Sequence, residues 1–281
     1  MSEKNNLAKF AGEDPEMQIA IEKARESLRF FWRELDWAFS DPNSKLFAAY
    51  LKIQLKGPNT EIIDGDLNEE KDLLEDYMWL TGCHFDGRNI TGLLMHDPSE
   101  RHGLYGSGVE VSVPVIQLYD WLYVIGKKVY GGFTVNVSRS RQSTAERKVH
   151  DKKWGFSFPP LNKVRIAPNR EGLSKGAKSK TQSDFFYDHI QENIPEDYRS
   201  KSWMKETLVE LKGDPEFLNG QSETGCTLLH GQALAGNALT VEFLMKKGAD
   251  ATITNNYGDT PRDLAKIMGW DNVIKVLDKY E

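Results

Sequence analysis

Long apolar runs are missing from this chain of 281 residues. None approaches the roughly 18–20 residues that a membrane-spanning helix requires. The first ten residues, Met1–Phe10, are polar and lack the apolar centre of a secretion signal, so a cytoplasmic location is expected. Cysteine is scarce: only Cys83 and Cys226 occur, far apart and outside any Cys-x-x-Cys pair. That excludes a disulfide framework and a thiolate-built zinc site, and it fits a reducing compartment. Positive charge is also in deficit, with 36 Lys and Arg against 42 Asp and Glu for a formal charge of −6, which argues against a generally cationic nucleic-acid binder. What is plentiful is aromatic side chain, 11% with seven tryptophans, more than a disordered chain carries. The length suggests two domains of about 100–200 residues, each able to bury its own core.

The hydrophobic pattern changes period along the chain. Asp14 is a candidate N-cap, Pro15 suits the first helical position, and Met17, Ile21, Ala24, Leu28, Phe31 and Leu35 follow at steps of three and four. This predicts an amphipathic helix. Leu51, Ile53 and Leu55 then alternate with Lys52, Gln54 and Lys56, and Val109, Val111 and Val113 alternate with Glu110 and Ser112. Such alternation predicts strands with one wet face. Trp121–Ile125 and Val129–Val137 are β-rich runs around Gly126-Lys127-Lys128, a predicted hairpin. One helix followed by sequential strands implies an α+β domain on a mainly antiparallel sheet, spanning residues 1–137.

From Ser138 to Gln182 there are 12 Lys or Arg against 3 Asp or Glu, a local excess of +9. Residues 138–183 therefore read as a basic linker. Its aromatic string Trp154-Gly155-Phe156-Ser157-Phe158 is expected to dock, and its Gly172–Lys180 piece to be mobile. The simplest role for the charge is to lie on the acidic surfaces of the chain itself; contact with nucleic acid or an acidic protein is the alternative.

Residues 184–281 return to a helical pattern and contain an internal repeat. Gly225, Thr227, Gly236, Val241 and Leu244 recur 33 residues later as Gly258, Thr260, Gly269, Ile274 and Leu277. Gly225-Cys226-Thr227-Leu228-Leu229-His230 and Gly248-Ala249-Asp250, at this period, resemble the ankyrin repeat. The second copy keeps Gly258-Asp259-Thr260-Pro261 and has Arg262-Asp263 where the family has Leu-His, a loss tolerated in a terminal copy. Because about three repeats are needed to bury a continuous core, Ser202–Asn219, with Trp203, Leu208, Leu211 and Phe217, is expected to supply a degenerate first repeat. The resemblance implies an all-α ankyrin domain that binds another protein through its turn tips. The contact residues expected on that basis are Thr252, Thr254, Asn255, Asn256 and Tyr257, with Gln221 and Glu223 on the incoming tip.

The N-terminal half carries a second resemblance. Asp14-Pro15-Glu16-Met17, Tyr77-Met78-Trp79-Leu80, Gly92 to Asp97-Pro98, and Asp120-Trp121-Leu122-Tyr123 followed by Gly131-Gly132-Phe133-Thr134 are similar to the bacterial YegJ-like family, domain of unknown function 2314. It departs from that family at Asp76-Tyr77 and at His96. This resemblance implies an α+β fold and no reaction. Small bacterial proteins combining such domains can neutralise toxins, which implies a basic protein partner for an acidic body.

Candidate chemistry is sparse. Gly103-Leu104-Tyr105-Gly106-Ser107-Gly108 precedes a strand, whereas a phosphate loop follows one and opens a helix, so it reads as a turn. His84, His96 and His102 lie near Cys83, Asp86 and Asp97 at spacings that match no metal motif. Asp120 beside Trp121 is either a local cap or a buried acid, and an enzyme or small-ligand site around it is the alternative function. His230 fits the hydrogen bonding of the repeat turn. No cofactor or metal is expected.

Overall fold

A computed structural model describes residues 14–39, 46–55, 61–62, 76–96, 108–169, 184–190 and 200–280. His102, Asp97, Gly103–Ser107 and Gly172–Lys180, singled out above, lie outside the described residues. The chain divides into two compact units: Met1–Phe31, Lys45–Ile166 and Phe186–Ile190 form the first, and Trp32–Ser44, Ala167–Phe185 and Gln191–Glu281 the second.

The first unit opens with helix α1, Pro15–Phe39, whose residues to Phe31 group here. The Asp14 carboxylate accepts hydrogen bonds from the backbone N–H of Glu16 (3.1 Å) and Met17 (3.4 Å), satisfying amides that have no partner within the helix. Ala20, Ile21, Ala24, Leu28 and Phe31 are buried, one face of the predicted period. Seven strands follow: β1 (Leu46–Leu55), β2 (Glu61–Ile62), β3 (Asp76–Phe85), β4 (Asn89–Leu94), β5 (Glu110–Pro114), β6 (Leu118–Ile125) and β7 (Lys128–Gly131). They pair antiparallel in the order β2-β5-β4-β3-β1-β6-β7.

The pleat sends Leu51, Trp121 and Tyr123 to the α1 side. Phe31 packs on Trp121 and Tyr123 at 5.9 and 6.2 Å between ring centroids, and the Trp121 indole donates to the Ala24 carbonyl at 2.9 Å. The opposite side collects Leu122, Val124 and Val129, over which Tyr50, Trp79, Trp154, Phe156 and Phe158 close.

The run 129–137 does not form the long second arm of a hairpin. Strand β7 stops at Gly131, and Phe133–Ser140 is helix α2. Gly131 (φ 73°) and Gly132 (φ 74°) turn the chain out of the sheet, and a Cβ at Gly131 would stand 2.2 Å from the Trp121 carbonyl. Tertiary capping of α2 by Asp120, described below, overrides the β preference of Thr134, Val135 and Val137. Helix α3, Thr144–Trp154, follows with Ser143 and Glu146 forming a capping box. Both helices lie in the basic stretch, and they group with the first unit, whose sheet receives Phe156 and Phe158.

In the second unit every element among the described residues 200–280 is helical: α4 (Ser200–Gly213), a 3₁₀ turn at Pro215–Leu218, α5 (Leu228–Ala235), α6 (Ala238–Lys246), α7 (Pro261–Ile267) and α8 (Asp271–Leu277). Helix α5 packs on α7, and α6 on α8. Val241, Leu244, Val273 and Leu277 are buried. Helix α4 places Trp203 edge-on to Phe243 of α6. Trp32–Phe39, the last turns of α1, belong to this unit too. From there buried Arg33 donates to the carbonyls of Ala235 (3.3 Å) and Gly236 (2.8 Å) at the end of α5, and its guanidinium stacks on the Trp270 ring at 4.1 Å.

Candidate functional site

Asp120 is completely buried in β6. Its Oδ1 accepts from the backbone N–H of Trp121 (2.8 Å) and Phe133 (3.0 Å). Its Oδ2 accepts from the Thr134 hydroxyl (2.6 Å) and N–H (2.8 Å) and from the Val135 N–H (3.4 Å). The Gly132 N-cap has no side chain of its own, so a carboxylate twelve residues upstream caps α2 from the neighbouring strand. Burial pushes the Asp120 carboxyl up, while the Thr134 hydroxyl, Lys52 and the backbone amides pull it down. Both oxygens are occupied by donors that belong to the fold, which leaves neither for abstracting a substrate proton.

The histidines do not converge on Asp120. His84 stands exposed on β3 and His96 exposed just beyond β4. Cys83 is buried, and burial pushes its thiol up to about 12, so it is an inert core thiol. Among the described residues no group of three or more His, Cys, Asp or Glu could hold a metal ion. A pocket of about 220 Å³ in the first unit is lined by Glu16, Ile19, Lys23, Phe133, Asn136 and Val164, among others. The Asn136 amide there is spent on the Leu161 carbonyl at 2.5 Å.

In the second unit the two loops at the 33-residue period are latched together. Gln221 donates to the Gly225 carbonyl (2.8 Å) within its own loop and to the Thr254 carbonyl (3.1 Å) in the next, and Asn256 Nδ2 donates to the Glu223 carbonyl at 2.8 Å. The Asn256 N–H completes the latch on the Thr224 carbonyl at 3.0 Å. Asn255 is buried; its Oδ1 accepts from the N–H of Tyr257 (3.0 Å) and Asp259 (2.9 Å), which shapes the loop from within. Thr252 and its neighbour Asp250 form a further turn, with the Thr252 hydroxyl and N–H both donating to the carboxylate. Outward from this frame stand Glu223, Thr252, Thr254 and Asn256, all exposed, and Tyr257 at 46% exposure. The seven residues expected at the tips are thus brought together, with Gln221, Asn255 and Asn256 as fasteners of the frame.

The loops are anchored to the helices behind them by paired caps. Thr227 and His230 cap α5: His230 Nδ1 accepts from the Thr227 N–H at 3.1 Å, and His230 Nε2 meets the Asp259 carbonyl at 3.1 Å. Thr260 and Asp263 repeat the device at α7, where the Asp263 carboxylate accepts from the Thr260 N–H (3.1 Å) and hydroxyl (2.6 Å). Asp263 therefore performs the backbone-capping half of what His230 does, and the sequence of the second copy departs from the first without losing the cap.

Among the described residues, no helix is long and apolar enough to cross a membrane. Compared with known proteins, the chain matches over residues 14–158 the family described as "Uncharacterized protein conserved in bacteria (DUF2314)". It is 30% identical over 265 residues to a putative ankyrin repeat protein of Neisseria meningitidis serogroup B, an alignment that covers 94% of each chain. A shorter match, 36% identity over 67 residues, relates it to the NAD-capped RNA hydrolase NUDT12 of Homo sapiens and of Macaca fascicularis; it spans 24% of this chain and 14% of the hydrolase. With half of its length in one match and nearly all of it in another, the chain belongs to the DUF2314 family and is kin throughout to a protein named for ankyrin repeats.

Proposed function

We propose that this is a non-enzymatic protein-binding protein whose C-terminal residues 184–281 form an ankyrin-type domain and bind a partner through the turn tips. The observation that carries the reading is the latch between the two tips. Inter-loop bonds from Gln221 and Asn256 fix the spacing of Glu223, Thr252, Thr254 and Tyr257, so the surface binds with little ordering cost. Tyr257 supplies contact area with a polar end, the combination favoured at interface hot spots. The name of the Neisseria relative supports protein binding as the general class.

The partner that best complements a chain of net charge −6 is a basic protein. The specific form of this reading is a toxin-neutralising role in the cytoplasm. An enzyme centred on Asp120 is disfavoured because both carboxylate oxygens are filled.

The test is photo-cross-linking in host lysate with wild type and the Tyr257→Ala variant. Tyr257 is the right position because it is 46% exposed and the inter-loop bonds named above come from Gln221 and Asn256. The expected outcome is one protein cross-linked to wild type and weakened by more than about 1 kcal/mol in the variant, with unchanged thermal unfolding. A partner bound equally by both proteins would move the interface off the tips. Relief of that partner's growth inhibition on co-expression would establish the neutralising form.

A further inference from the structure

We propose that the pocket between α1, α2 and residues 161–164 of the first unit binds a small organic carboxylate, with its apolar body inside and its anionic group on Lys23.

The walls come from three places. Helix α1 contributes Ile19, Ala20 and Lys23, α2 contributes Phe133 and Val137, and the chain beyond α3 contributes Leu161 and Val164. At about 220 Å³ the space is below the roughly 300–1,000 Å³ ordinary for drug-sized ligands, so it suits a body of one ring or a short chain. Bonds within the fold hold the walls in place. Asn136 donates to the Leu161 carbonyl, the Tyr187 N–H to the Val164 carbonyl at 2.8 Å, and the Tyr123 hydroxyl to the Ile166 carbonyl at 2.8 Å. Phe133 is set edge-on against Tyr187, with ring centroids 5.5 Å apart. A ligand therefore meets a shaped space and need not order a loop to enter it.

The surface left open there is apolar. Ile19 is 50% exposed, and Val137, Leu161 and Val164 are only half-buried. Covering these side chains drives binding of an apolar body.

Charge on the lining is uneven. Glu16 is the one acidic residue of the lining, and it is paired at 2.9 Å with Arg141, which also holds Asp14. Glu26, three residues on from Lys23, accepts from the Tyr187 hydroxyl. Lys23 has no ion-pair partner among the described residues; its ammonium stands over the Tyr187 ring, 5.2 Å from the centroid. A ring face holds a cation in place without neutralising it. An ammonium so placed beside an apolar space selects an anion, and a carboxylate gains a charge-assisted hydrogen bond from it. Asn162, in the same lining, carries a further amide donor. The site is independent of the turn tips, since every residue named here belongs to the first unit.

The test is an NMR titration of the whole protein, isotope-labelled at its Ile, Leu and Val methyl groups, with benzoate and with benzyl alcohol. Benzoate is expected to shift the methyls of Ile19, Val137, Leu161 and Val164 saturably. Benzyl alcohol has the same ring and no charge, and should bind there about tenfold more weakly, the ordinary worth of a hydrogen bond to a charged group. Absent or unsaturable shifts with benzoate, or equal affinity for the two compounds, would overturn the proposal. Both titrations are read on wild type, so the comparison does not depend on a variant folding. The Lys23→Met variant, which keeps an apolar stem at a half-buried helical position, should bring benzoate down to the level of benzyl alcohol and leave the alcohol's affinity unchanged. An undiminished preference for benzoate in that variant would overturn the assignment of the anion to Lys23.

Discussion

Asp120 shows how a residue with the look of an active-site acid can be a structural joint. A buried carboxylate beside a tryptophan invites a chemical role, and its environment does push its pKa in the direction of a general acid. Geometry decides against it, because five donors converge on two oxygens and four of them come from the first turn of α2 or its Thr134 hydroxyl. The isosteric Asp120→Asn change separates the readings. It replaces one acceptor by a donor facing backbone N–H groups that cannot turn away, and buried donors without partners cost about 1–3 kcal/mol each. The expected loss is about 3 kcal/mol or more in urea unfolding, with α2 fraying first by hydrogen exchange. Unchanged stability would mean that the carboxylate is not the cap and would reopen a chemical role for it.

At the scale of elements, the two capped helices α5 and α7 differ in a way that pH exposes. His230 is fully buried, and burial lowers its pKa from the ordinary value of 6.5. Its Nδ1 must accept from the Thr227 N–H, so a proton there would set two donors face to face. The unfolded chain takes up a proton near the ordinary histidine value and the folded chain does not. Stability from this site is therefore present above pH of about 6.5 and lost as pH falls below it, at up to about 1.4 kcal/mol per pH unit. The His230→Gln variant keeps an acceptor in the capping box and removes the titration. Urea midpoints at pH 7.5 and 5.5 should fall for wild type and stay nearly level for the variant; equal falls would assign the titration elsewhere. Thr227 and Thr260 were legible because they recur at the fixed spacing and act locally, whereas Asp263 as the partner of Thr260 was not, since against the repeat pattern it reads as a lost histidine. The first helix and the alternating strands were legible for the same reason: Asp14, Leu28, Leu51 and Val111 respond to near neighbours in sequence. Helix α2 was not, because its cap is a side chain in another strand and its own residues favour β structure. The ring contacts of Lys52 with Tyr77 and Trp79 of β3 and Tyr119 of β6 were equally hidden, for only the register of the sheet unites them.

For the whole molecule, the unequal distribution of charge along the chain asks for an explanation that the fold supplies in part. Among the described residues of the basic stretch, the arginines bond within the first unit. Arg139 is buried in a two-point pair with Asp151 (2.9 and 2.8 Å), and Arg141 bridges Asp14 (2.5 Å) and Glu16 (2.9 Å). Arg147 donates to the Gln142 carbonyl (2.5 Å), and Arg165 to the carbonyls of Val129 (3.3 Å) and Ser157 (3.1 Å). Cations used in this way can meet phosphates only by giving up partners within the first unit, and the net charge of −6 adds long-range repulsion toward a polyanion. Nucleic-acid binding driven by backbone contacts follows counterion release, with a slope of log affinity against log salt near −0.9 per phosphate neutralised on duplex DNA. With Lys148, Lys152, Lys153 and Lys163 as the exposed lysines among the described residues of the stretch, binding of the full chain to a 20-base-pair duplex should be weak even at low salt. Fluorescence anisotropy should give a slope no steeper than about −4 and no saturable binding at physiological ionic strength. A slope near −6 or beyond would mean that the arginine pairs open onto DNA, and the basic stretch would then rank above the turn tips as the working surface of the chain.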